Sequence, residues 1–130
     1  MQKVLFAVAA AFLVLHGLIH LMGTTAYLKL GKIEALPYKT TLLGGSWNVG
    51  DGGIRAFGIL WVIPAVGFFL AGVAMFAGWP WWPTLVGVMG VLSLVLTLFD
   101  WTVAYAGAVI NLIILGLLWG GPALSRWLTP

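Results

Sequence analysis

The sequence predicts an all-α fold, an integral membrane four-helix bundle with one long structured loop between the first and second helices. Three observations predict it. Of 130 residues, 62% are hydrophobic and only 7% are charged, against about 25% charged in an ordinary soluble domain. A soluble fold of this length still leaves roughly a third of its unfolded-chain surface in water, and this chain has too few polar groups to cover it. Apolar runs near the ~20 residues that a spanning helix needs occur at about residues 4–22, 54–76, 82–98 and 102–119. A helix satisfies its backbone groups within its own segment, which lipid demands. These runs are therefore read as the spans of a single domain covering residues 1–130.

The first span follows Met1-Gln2-Lys3 and imitates a secretory signal peptide. The apolar run continues through Met22, long enough to span, so it is read as a retained helix that extends as far as Tyr27. Residues 24–53 form the only long connection, holding Lys29, Lys32, Glu34, Lys39 and Asp51. Residues 28–36 are expected to form a short interfacial helix ended by Pro37. Residues 44–53 are glycine-rich and turn-like, but no Gly-Lys-Ser/Thr follows, so they are not a phosphate loop.

In the second span Pro64 lacks an N–H and is expected to kink the helix near Leu60–Trp61. Gly67 and Ala71 have the small-xxx-small spacing that lets membrane helices approach closely, and Gly87, Gly90, Gly107 and Gly116 are candidates for the same role. The segment Gly78-Trp79-Pro80-Trp81-Trp82-Pro83 combines helix-stopping prolines with tryptophans at the headgroup level. The third and fourth spans meet in a tight turn at Phe99-Asp100-Trp101-Thr102. Gly120-Gly121-Pro122 reads as a helix stop, followed by a short amphipathic tail with Arg126 and Trp127.

Four spans place both termini and the Trp79–Trp82 turn on one side of the membrane, here called side A. The long loop and the Asp100 turn lie on the other, side B, with all three acids and with Lys29, Lys32, Lys39 and Arg55. Charge is thus polarised to one face, but the Lys/Arg margin is too small to orient the chain. The expected setting is a multi-pass protein of a bacterial inner or plasma membrane, with the lipid bilayer around it. Six basic residues give no nucleic-acid footprint. The absence of cysteine excludes disulfide relays and thiolate chemistry.

Candidate chemistry centres on His16 and His20, the only histidines, one helical turn apart on a shared face. An ionisable group inside a span is a functional hypothesis by default. Gly17 stands where the zinc-protease motif needs glutamate, so that chemistry lacks its base. Membrane di-iron oxygenases need many more histidines. A mononuclear metal site would use His16, His20 and Asp100, with Glu34, Asp51 or the Met22 thioether as further ligands. Residues one turn apart cannot take both axial positions of one haem, but a single histidine can hold a haem or chlorin. A quinone would accept a hydrogen bond from either histidine, with aromatic rings lining its pocket and Asp100 relaying a proton. Asn111, mid-span in the fourth helix, is a candidate ligand contact or an interhelical bond. The plainer alternative is a pair of neutral buried imidazoles bonded to a backbone carbonyl, Asn111, Tyr105 or Ser93. For Asp100 the plainer alternatives are to cap the fourth helix or to pair with Arg55.

In size, four-span layout and long first loop, the chain resembles the small bacterial DoxX-like membrane proteins, although its first helix lacks that family's basic residue. The likeness is one of layout and carries no functional residue across. No complete catalytic set is visible. The leading expectation is an accessory subunit of a larger membrane complex, redox or photosynthetic, associating with other membrane subunits or with itself. The alternatives are a stand-alone metal- or quinone-dependent enzyme and a small-molecule transporter. The last is weakened by the few polar residues at the midplane and the lack of an inverted repeat.

Overall fold

The computed structural model describes the backbone over residues 2–128 and side chains over residues 3–122. Helix α1 spans Gln2–Tyr27, α2 Gly50–Leu60, α3 Val62–Phe76, α4 Trp82–Phe99 and α5 Trp101–Leu128. Four helical stretches are long and apolar enough to cross a membrane, α2 and α3 together forming the second. The expected multi-pass all-α bundle is what forms.

Helix α1 carries no proline, and its interior glycines, Gly17 and Gly23, lie against Ala65 and Trp61 of the second span. It ends in a Schellman turn, with Leu30 N–H bonded to Thr25 O and Lys29 N–H to Ala26 O. Lys29 takes the left-handed position, φ 58°, that glycine usually fills. The expected interfacial helix over residues 28–36 does not form. Lys29 in its left-handed conformation, Gly31 and Pro37 leave too short a run to repay helix nucleation. The connection instead makes isolated turns and a small antiparallel hairpin, β1 Thr41–Leu42 with β2 Trp47–Asn48. It is shorter than the expected 24–53, because α1 runs to Tyr27 and α2 starts at Gly50.

The second span breaks at Trp61, as Pro64 requires. Without a proline N–H the Leu60 carbonyl loses its partner, and the next bond, Ala65 N–H to Trp61 O, is long at 3.4 Å. Helix α3 ends with Gly78 at φ 73° in a second Schellman turn, Trp79 N–H bonding Ala74 O. Helices α4 and α5 meet at Asp100 in a turn of one residue, and Ala104 is still non-helical at φ −110°. Helix α5 does not stop at Gly120-Gly121-Pro122 but continues to Leu128. A proline removes one donor and frees one carbonyl, whereas leaving the helix would strand several such groups in an apolar medium. The side chains of the expected tail residues Arg126 and Trp127 lie outside the described residues.

Packing runs in the order α1, α3, α4, α5, and α1 and α5 barely touch. Glycines set the close approaches. A Cβ on Gly17 would lie 2.7 Å from Ala65 O, and one on Gly72 2.7 Å from Ala10 O, so α1 and α3 meet backbone to backbone. Gly67 admits Met89 from α4, and Gly90 admits Leu115 from α5, as the sequence suggests. Gly116 faces open space instead. Apolar side chains gather in two clusters. Toward side B lie Tyr27, Leu36, Leu42, Ile54, Phe57, Trp61 and Leu96; toward side A lie Leu13, Phe68, Ala71, Val86, Met89 and Ile114. A polar layer separates them.

Gly17→Leu is expected to lower stability in mild detergent by about 1–3 kcal/mol, the usual cost of overpacking a tight contact. Gly116→Ala is expected to leave the melting temperature unchanged or slightly raised. Equal losses in both, measured by thermal unfolding, would mean that backbone approach at Gly17 does not set the α1/α3 contact.

Candidate functional site

The polar layer consists of His16, His20, Ser93, Asn111 and Thr97, all buried. The α1 backbone stacks His16 over His20, with ring centroids 4.8 Å apart and nearly perpendicular. Phe68 packs against both rings, at 4.8 and 5.7 Å between centroids. Gly17 matters here too, because the α1/α3 contact it permits brings Phe68 up to the imidazoles.

Hydrogen bonds join the layer in one direction. His20 Nδ1 lies 2.7 Å from His16 O, a carbonyl that only accepts, so Nδ1 carries the proton. Asn111 Nδ2 donates to Ser93 Oγ at 2.6 Å. The Ser93 hydroxyl then donates to His20 Nε2 at 2.5 Å. Asn111 Oδ1 accepts from His16 Nε2 at 3.1 Å. Each bond of this chain pairs one donor with one acceptor if both imidazoles are neutral. A protonated His20 would aim two donors at Ser93 Oγ and strand the hydroxyl hydrogen. In this assignment His16 Nδ1 is an acceptor left outside the chain. Thr97 turns its hydroxyl back to Ser93 O and Leu94 O, both at 2.9 Å.

Asp100 does not join the histidines. It is fully buried at the α4/α5 turn, with Tyr27 donating to Oδ2 and Lys39 to Oδ1. Neither expected role is seen. Its partner is Lys39 from the loop rather than Arg55, which is exposed. In the first turn of α5 the N–H groups of Val103 and Ala104 bond its backbone carbonyl rather than its carboxylate. Asp51 bonds Tyr38 and lies 3.8 Å from Lys29, and Glu34 is exposed. The bond to Asp51 pushes the Tyr38 hydroxyl above its ordinary pKa. Tyr105 is exposed rather than a histidine partner. Among the described residues no group of three or more His, Asp and Glu comes together to hold a metal.

Beside the histidines lies a cavity of about 250 Å³. It is lined by His16, Ile19, His20 and Met22 from α1, by Val103, Ala104, Gly107 and Ile110 from α5, and by Trp61 and Thr97. Ala35 and Leu36 cover its side B end. Its lining is mostly apolar. The polar side chains in it are His16, His20 and Thr97; Trp61, 5% exposed, carries the one buried side-chain polar atom among the described residues with no hydrogen-bond partner, its indole Nε1, enclosed by packing behind the cavity wall. Gly23 lets the indole lie against α1, since a Cβ there would come within 2.7 Å of the ring. A cavity of about 150 Å³ holds benzene, so this one takes a single or fused ring but not a haem or chlorin macrocycle. Sequence reasoning missed Trp61, Tyr27 and Lys39. Gly23, one turn beyond His20, was the available signal that a large side chain crosses α1 there.

No family model, curated protein or solved structure matches this chain.

Ser93→Ala is expected to cost about 1–3 kcal/mol, because it strands His20 Nε2 and Asn111 Nδ2 together. Lys39→Met is expected to cost about 3 kcal/mol by leaving the buried Asp100 carboxylate without its cation. Lys29→Met, which removes an exposed ion pair with Asp51 and a cation–π contact over Tyr38, is expected to cost less than about 1 kcal/mol. Thermal melts of the three variants in one detergent rank them, and a Lys39 variant as stable as the Lys29 variant would remove the loop anchor from the account.

Proposed function

We propose that the chain binds a lipophilic ring compound bearing a carbonyl or hydroxyl, of the quinone class, in the cavity beside His16 and His20. The observation that carries this reading is the mostly apolar cavity set directly against His16 and His20, with the unpartnered Trp61 Nε1 behind its wall. A buried donor without an acceptor costs about 1–3 kcal/mol, and a ring carbonyl would relieve it once the indole turns its N–H toward the cavity. His16 Nδ1 supplies the complementary acceptor, suited to the hydroxyl of the reduced ring. Ligand sites are typically apolar with a few placed polar groups, and this cavity is of that kind, somewhat smaller than the usual ~300–1,000 Å³. The expected accessory-subunit role takes a chemical form in this reading. The chain presents a quinone to a neighbouring redox protein in the bilayer.

The reading favours a quinone over a metal on the chemistry of the donors. Of the four imidazole nitrogens, His16 Nε2, His20 Nδ1 and His20 Nε2 are already bonded to Asn111, the backbone and Ser93. A metal held by both rings would have to break that chain.

Titration of naphthoquinone into the protein in phosphatidylcholine nanodiscs tests the proposal. Saturable binding is expected, with a carbonyl stretch shifted to lower frequency. Trp61→Phe should weaken binding about five- to tenfold, the worth of one hydrogen bond, and abolish the shift. Naphthalene should be insensitive to the substitution. Equal binding of both compounds to both proteins would overturn the reading.

A further inference from the structure

The loop segment over the side B end of the histidine cavity is tethered by side chains rather than by backbone. Among the described residues, a single backbone hydrogen bond lies within residues 31–39, from Leu36 N–H to Ile33 O. Leu36 is buried in the side B apolar cluster. Lys39 Nζ donates to Asp100 and lies 3.5 Å from Thr102 Oγ1. Tyr38 donates to Asp51, with the Lys29 ammonium over its ring. A segment with so few backbone bonds can open locally without unfolding the rest.

This segment separates two cavities. Ala35 and Leu36 close the cavity beside His16 and His20. On the other face lies a cavity of about 580 Å³, lined by Lys29, Lys32, Glu34, Pro37 and Tyr38. Its lysines and glutamate are exposed, so it belongs to the water of side B. Leu36 lines both cavities. Asp100 sits at the rim of the inner one. Val103 and Ala104, whose N–H groups bond the Asp100 carbonyl, stand in its wall, and so does Thr97.

We infer that residues 31–39 form a water gate on the histidine cavity, with Leu36 as its plug and the Lys39–Asp100 pair as its latch. Closed, the gate keeps the histidine layer dry. Open, it joins the inner cavity to side B water. Lys39 is partly exposed and Asp100 is fully buried, so the lysine is the half that leaves. Its departure strands a buried charge, which keeps the gate shut most of the time and limits its traffic to water and protons. The gate follows from the chain's own contacts; its use rests on the ring-binding reading. Each oxygen of a quinone gains a proton as a neighbouring redox protein reduces the ring, and the gate supplies that proton from side B.

The chain has no cysteine, so one introduced thiol reports on the gate without any ligand. Thr97→Cys places it in the wall of the inner cavity. The full chain in phosphatidylcholine nanodiscs is treated with a charged, membrane-impermeant methanethiosulfonate, and mass spectrometry follows the modification rate. The rate is expected to be low with the native loop. Lys39→Met or Leu36→Ala, added to Thr97→Cys, should raise it about tenfold or more, because modification follows the population of the open form. Leu36→Ala removes the plug without touching the ion pair, so it decides the matter even where Lys39→Met folds poorly. Lys32→Met, in the outer cavity wall but outside the latch, should not raise the rate. Met89→Cys, buried in the side A cluster, should stay unreactive in every background. Fast modification of Thr97→Cys with the native loop, or a rate that Leu36→Ala leaves unchanged, would overturn the gate. Equal acceleration at Met89→Cys would mean that the whole bundle loosens, and would overturn it as well. Failure of naphthoquinone to bind would remove the gate's use for a ring while the thiol rates still decide the gate.

Discussion

The directed hydrogen-bond chain from His16 through Asn111 and Ser93 to His20 is the constraint on which the middle of the bundle depends. It ties α1 to α4 and α5, whose backbones approach it at few points. In an apolar medium each unpaired polar group is costly, so the side chains must meet in one arrangement, and that arrangement fixes the rotation of all three helices about their axes. Single interhelical hydrogen bonds in membranes are modest, about 0.6 kcal/mol on average. Their value here is specification. The two apolar clusters on either side would tolerate several rotations of α5, whereas Asn111 can reach Ser93 and His16 together in only one.

The layer also explains why α1 and α5 can stay apart. In most bundles a missing helix contact is filled by side chains packing across it. Here α1 gains its stability from α3, through Gly17 and Gly72, and α5 gains its own from α4, through Gly90. The seam is thus relieved of a packing role. A polar clasp at its middle holds the spacing, and cavities open above and below the clasp. The loop adds a second fixed point at side B, where Leu36 and Leu42 enter the core and Lys39 reaches the buried Asp100.

Much of this was legible in the sequence, and the reasons for the misses are physical. Composition and run length suffice for the spans, because a bilayer admits few backbone solutions. Pro64 places its kink through a covalent fact, the missing N–H. The histidine partners Asn111 and Ser93 could be named because so few polar residues lie at that depth. The loop was harder. Lys39 and Arg55 are equally reasonable partners for Asp100 when only the side of the membrane is known, and the choice depends on how the loop folds back. Its clue was weak: Leu36 and Leu42 are buried, but Leu28, Leu30, Ile33 and Leu43 lie in the same connection, and nothing in the sequence sets the two apart. Trp61 was hidden for another reason. A tryptophan in a membrane protein reads as an interfacial anchor, and only the contact with Gly23 shows that this one is turned inward.

These constraints together bear on what kind of molecule reaches the site. A water-borne ligand would approach from side A or side B. On side B the anchored loop lies over the cavity, with Ala35 and Leu36 in its wall and the Lys39–Asp100 pair beside it. Opening that end would separate a buried charge pair, at a cost of several kcal/mol. Toward side A the way is filled by Leu13, Phe68 and Ile114. Between α1 and α5 the backbones approach at few points, and the neutral His16–Asn111 bond is the polar contact that crosses the seam. The lowest barrier therefore faces the lipid. Under the ring-binding proposal, a ligand on that route would already be dissolved in the bilayer, and an acceptor on its ring would distinguish it from the surrounding lipid chains.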